Sequence, residues 1–101
     1  MVFSAPAWQS PSGNLDCGIQ DGDVDLVCTS SSDGLGVNLP EVGPPSTFAS
    51  QDPAGEGVVV PYGNVWQRGP FTCSSQTEGI TCRSTTSGRG FFLARGAYQP
   101  R

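Results

Sequence analysis

Apolar residues in this chain recur at every second position over short stretches, each closed off by glycine, proline or serine. Leu15 stands two places before Cys17, Leu26 before Cys28, Phe71 before Cys73 and Ile80 before Cys82. Period two puts such residues on one face of an extended strand. The pattern therefore predicts two pairs of strands, each carrying its cysteines on the same, core-facing side as its apolar residues. Turn formers separate the strands of each pair, Gln20-Asp21-Gly22-Asp23 in one and Gln76-Thr77-Glu78-Gly79 in the other, so both pairs read as hairpins. Further strand signal lies at Val2 to Ser4, Val58 to Val60, Asn64 to Trp66, and Phe91 to Arg95, the last expected to be the most buried.

Residues 29–57 change character. A hydroxyl run, Thr29 to Ser32, is followed by Pro40, Pro44-Pro45 and Pro53, with Leu35, Val37, Leu39, Val42 and Phe48 the main apolar side chains. This segment is expected to be a long loop or extended arm, with a single helical turn near Ser46–Ser50 as its one candidate for helix. The expected fold is a small antiparallel all-β sandwich or barrel-like domain spanning residues 1–101.

Composition supports that class. Fourteen glycines and nine prolines leave few stretches able to propagate a helix. A chain of 101 residues buries only about 60–65% of its unfolded surface, so covalent staples are expected. The four cysteines, in a chain without histidine, favour disulfides over a metal centre. Their spacing resembles no zinc knuckle. Closing each hairpin, Cys17 to Cys28 and Cys73 to Cys82, is the economical pairing; crossed bridges between the hairpins are the alternative. Either way the bonds require an oxidising compartment, so the protein is expected to be secreted or at the cell surface. Met1 reads as a start residue preceding a mature chain whose export signal has been removed.

The net charge is −4, with lysine absent. Eight of nine acids lie at or before Glu56, whereas every arginine lies at or beyond Arg68. A lysine-free acidic chain is a poor ligand for nucleic acid, and the two halves are expected to pair electrostatically in the fold. No apolar run is long enough to span a membrane.

A set of motifs in fixed order runs through both hairpins: Ser10-Pro11-Ser12-Gly13-Asn14 before Cys17, Tyr62-Gly63, Gly69-Pro70-Phe71-Thr72-Cys73-Ser74-Ser75, Gly79-Ile80-Thr81-Cys82, and Ser87-Gly88-Arg89-Gly90-Phe91 before Leu93 and Arg95. Together they resemble a family of secreted or lipid-anchored actinobacterial proteins built on a cysteine-containing domain of unknown function. The resemblance covers residues 10–28 and 58–98. It implies export to a Gram-positive envelope, with a lipid anchor on the full-length protein among the expectations, and it implies no activity. Two departures stand out: members usually carry a further cysteine pair in the middle segment, and many have histidine where this chain has Arg89.

Candidate chemistry is sparse. Without histidine or lysine no serine has a base to activate it, and paired cysteines leave no thiolate, so the chain does not read as an enzyme. Asp21, Asp23 and Asp25 alternate like the first ligands of a calcium loop. Leu26 and Ser32 stand where that template needs glycine and glutamate, so they read as a solvated hairpin tip and at most a weak cation site. No cofactor is expected. Trp8, Tyr62, Trp66 and Tyr98 are candidates for stacking on a sugar or anchoring a partner, with core packing as the alternative for each. Arg89, between two glycines, could read a carboxylate or a phosphate, or pair with the acidic first half. The expected function is a non-catalytic protein-interaction module of the cell envelope. The rival readings are an envelope glycan-binding module and an inhibitor of a cell-wall hydrolase.

Overall fold

The computed structural model describes residues 2–20, 22, 24–50 and 57–101. Their secondary structure is twelve β-strands: β1 (Val2–Phe3), β2 (Ala7–Gln9), β3 (Leu15–Gln20), β4 (Asp25–Ser30), β5 (Leu35–Pro40), β6 (Ser46–Ala49), β7 (Val58–Val59), β8 (Val65–Arg68), β9 (Phe71–Gln76), β10 (Gly79–Ser84), β11 (Gly90–Ala94) and β12 (Ala97–Pro100). They form two six-stranded sheets. Sheet A has the order β1-β8-β9-β10-β11-β12 and sheet B the order β6-β5-β4-β3-β2-β7.

Both sheets follow one plan. Strands β2 to β6 form an antiparallel meander in sheet B, and β8 to β12 form its counterpart in sheet A. Each meander is then extended by a two-residue strand from the other half of the chain. Strand β1 lies parallel to β8, with Val2 opposite Val65, and β7 lies parallel to β2, with Trp8 opposite Val58. The expected sheets were purely antiparallel; these two exchanged strands make both of them mixed. The repetition reaches individual bonds: Ile19 N donates to Pro6 O at 3.0 Å, and Ser75 N donates to Asn64 O at 3.0 Å, in corresponding places.

The alternation along each strand builds the core. Leu15, Cys17, Leu26 and Cys28 of sheet B face Phe71, Cys73, Ile80 and Cys82 of sheet A, all buried. The hairpin disulfides Cys17–Cys28 and Cys73–Cys82 form, each between directly opposed residues with Cα atoms 4.0 Å apart. Such close opposition belongs to the non-hydrogen-bonded pairs of an antiparallel ladder. The bridges meet between the sheets, where the sulfurs of Cys17, Cys28 and Cys82 lie within 4.8 Å of one another.

The expectation of a loop or arm across 29–57 is corrected. Thr29 and Ser30 end β4, and residues 35–40 and 46–49 are strands β5 and β6. Leu35, Val37 and Leu39 themselves alternate, and Val37 and Leu39 are fully buried against the core. The expected helical turn near Ser46–Ser50 is instead β6, paired with β5 from Asn38 to Leu35. Phe48, on the outer face, lays its ring over Gly36 directly across the strand pair, which covers backbone that a glycine would leave bare.

Each half of the chain builds most of one sheet, and this is how the charges separate. By the alternation, Arg83 and Arg101 stand on the outer face of sheet A, and Asp16 and Asp25 on the outer face of sheet B. Among the described residues no carboxylate bonds Arg83, Arg89 or Arg101. The expected pairing of Arg89 with the acidic half is therefore not made there. Arg83 and Arg101 lie on one face and Asp16 and Asp25 on the other, while Asp33 of the first half feels the charge of Arg95 of the second and Glu41 accepts from Thr86 Oγ1 at 3.1 Å.

Candidate functional site

At one end of the sandwich the turns of both halves surround a cleft of about 240 Å³. The β2–β3 connection is shaped by Ser10, whose amide donates to Leu15 O and whose carbonyl accepts from Gly13 N. Gly13 has φ of 75°, a left-handed value that favours glycine. The Ser10 hydroxyl is buried, bonds that of Ser12 and accepts from Leu15 N. Asn14 ties this connection to the β4–β5 turn, its Oδ1 accepting from Ser31 Oγ and Ser32 N at 3.1 Å each. Strands β9 and β10 meet in the tight turn Gln76 to Gly79. The Tyr62 turn is held by Gly63 N donating to Ser75 O at 2.7 Å.

Arg95 enters from the β11–β12 turn. That turn is fixed across the sandwich by Asp33, whose carboxylate accepts from Gly96 N and from Ser30 Oγ. The Gly96 amide, then the Ser30 and Ser32 hydroxyls and the charge of Arg95, hold the Asp33 carboxyl below its usual range, against a smaller desolvation effect. Glu78 accepts from Thr77 Oγ1 at 2.6 Å, and that bond, followed by its own backbone amide, likewise lowers its pKa.

The cleft thus combines one carboxylate, Glu78, one guanidinium, Arg95, and the side-chain amides of Asn14 and Gln76, with Leu15 on its floor. Tyr62 adds a phenol ring that is 43% exposed. Arg95, Gln76 and Tyr62 donate no side-chain hydrogen bond to a described residue, so their donors are available to a ligand. Glu78 is the one carboxylate among the described residues that line the cleft.

Of the candidate binding residues that are described, Tyr62 alone lines this cleft. Trp8 and Trp66 are fully buried and stack on each other with ring centroids 6.2 Å apart, so neither presents a face to a ligand. Tyr98 packs against the core beside Phe91, at 6.3 Å between centroids, and burial pushes its phenol pKa up. Arg89 is exposed in the β10–β11 connection, at the other end of β10 from the cleft. Asp25 is half-buried beside Gln20 and Pro40, and Asp21 and Asp23 lie outside the described residues.

Sequence reasoning missed Arg95, Gln76, Glu78 and Asn14. The available signal was strand parity, which tells which turns of a meander share an end. That count fails once β5 and β6 are read as a loop. Comparison with protein families, with curated proteins and with solved structures finds no match for this chain.

Proposed function

We propose that the chain is a non-catalytic interaction module of the actinobacterial cell envelope that engages a protein partner at its cleft. The observation that carries this reading is exposed apolar side chains on an edge strand beside the cleft. Val58 and Val59 are 41% and 48% exposed on edge strand β7, Val60 turns into the core, Tyr62 is exposed again at the cleft, and the cleft then offers Arg95 and Gln76, whose side chains donate to no described residue. A partner segment laid along that edge places a polar side chain in the cleft. Absence of histidine, lysine and free thiol supports a non-catalytic role. Two disulfides in so small a domain are consistent with an extracellular setting. The envelope assignment draws on the motif resemblance.

A second reading, an envelope glycan-binding module or an inhibitor seated on a cell-wall hydrolase, draws on the Tyr62 ring beside hydroxyl and amide groups. A photo-crosslinking residue at position 76 separates the readings. The interaction module crosslinks one envelope protein and loses it on Tyr62→Ala or Arg95→Gln. Labelling of glycan alone, or protein labelling indifferent to those changes, overturns the protein reading.

A further inference from the structure

The outer face of sheet A carries a second arrangement, remote from the cleft chemistry. Arg83 lies opposite Gly90 in the β10–β11 ladder, and Gly90 exchanges both backbone hydrogen bonds with Arg101 at 2.7 Å each. One transverse row therefore reads Thr72, Arg83, Gly90, Arg101. Gly90 cannot be replaced there by a residue with a side chain, because a Cβ would fall 2.1 Å from the carbonyl oxygen of Cys82. Two arginines thus stand two strand spacings apart, about 10 Å, with bare backbone between them.

The next row is Ser74, Thr81, Phe92 and Gln99. Arg101 lies over the Phe92 ring at 5.2 Å and donates to Gln99 Oε1 at 3.4 Å, which holds its guanidinium down on the sheet. Arg89 adjoins the same corner through Gly90. By the alternation, the outward positions of β8 to β12 include no Asp or Glu side chain. In a chain of net charge −4, three guanidiniums that bond no carboxylate among the described residues, on a face rich in hydroxyl and amide groups, form a surface complementary to anions. The connection that carries Arg89 also holds Thr86, whose Oγ1 donates to the Glu41 carboxylate.

We propose that this face binds an anionic polysaccharide bearing carboxylates along its chain. Arg83 and Arg101 take successive carboxylates across the Gly90 gap, Arg89 adds a third contact, and Thr72, Thr81 and Gln99 bond sugar hydroxyls. A flat surface with three charges and no lysine gives a phosphate-dense polymer too little counter-charge.

Titration calorimetry of the full chain with polygalacturonate tests this. The wild-type chain binds, binding weakens with added salt, and neutral dextran gives no heat. Arg83→Gln/Arg89→Gln/Arg101→Gln weakens binding by about tenfold or more. A variant of equal net charge, Gln20→Glu/Asn38→Asp/Ser46→Glu on the outer face of sheet B, stays within about twofold. Arg83→Gln alone, at an exposed side chain without a bonded partner, gives a smaller loss and guards against misfolding of the triple variant. No binding by the wild-type chain, equal weakening in both charge-matched variants, or tighter binding to duplex DNA or anionic lipid vesicles overturns the proposal.

Discussion

The indole of Trp8, in sheet B, stacks on the indole of Trp66, in sheet A, with 30° between the ring planes. The two occupy corresponding positions, Trp8 opposite Cys17 and Trp66 opposite Cys73. They differ at one atom. Trp66 Nε1 donates to Ala5 O at 2.7 Å, whereas Trp8 Nε1, also buried, has no partner among the described residues. Either tryptophan replaced by alanine is expected to cost about 3–5 kcal/mol. Phenylalanine separates them. Trp66→Phe should cost about 1 kcal/mol more than Trp8→Phe, because only the former leaves a carbonyl without its donor. Urea denaturation of the two variants measures the difference.

The bridges invite a second comparison. Removing Cys17–Cys28 or Cys73–Cys82 as a pair is expected to cost about 2.7 kcal/mol each in the chain-entropy picture. Removing one cysteine alone should do something further. In Cys73→Ser the Cys82 thiol is left within 4.8 Å of the other bridge. Its thiolate can attack either sulfur and release the other as a thiol. Non-reducing peptide mapping should then recover Cys82 linked to Cys17 or Cys28 beside the native pair. A single unscrambled species would show that the core holds the bridges apart.

Two glycines without left-handed backbone should differ in how strongly alanine destabilises them. Gly90→Ala drives a Cβ into the Cys82 carbonyl, backbone against backbone, and should cost about 3 kcal/mol or prevent folding. At Gly36 the added Cβ meets only the Phe48 ring, a partly exposed side chain that can swing away. Gly36→Ala should therefore cost less than about 1 kcal/mol. Thermal unfolding of the pair decides it.

Asp33 supplies a pH signature. Its folded pKa lies below 3.8, so the carboxylate stabilises the fold at neutral pH, and that contribution is lost as pH falls through the folded pKa. Asp33→Asn should lower the melting temperature at pH 7, and its gap to the wild-type chain should close as the pH falls through the folded pKa of Asp33. A gap that persists in acid would assign the effect to packing.

The hairpins were legible because Leu15, Leu26, Phe71 and Ile80 each mark a strand locally. Strand β5 carried the same mark in Leu35, Val37 and Leu39, but the surrounding serines and prolines suggested a loop. Strand β6 has no comparable signal: all four of its residues are exposed, and its order comes from pairing with β5. Strands β1 and β7 are two residues each and find partners in the other half of the chain, a relation no local pattern encodes. The cleft was hidden for a similar reason. Arg95 and Asn14 sit on turns of different halves, and only the completed sheets bring those tips together.

The exchange of β1 and β7 bears on when this protein can fold. Val2 waits for Val65, so a chain emerging from its N-terminus has no place for β1 until the second meander has begun to follow. Pairing across such sequence distance is slow, because the entropy of loop closure is met before the contact rewards it. The first half on its own also lacks β7 beside β2 and the Trp66 indole on which the Trp8 ring stacks in the core. A chain cut before β8 therefore leaves β1 without its ladder and Trp8 without the indole it stacks on in the complete fold.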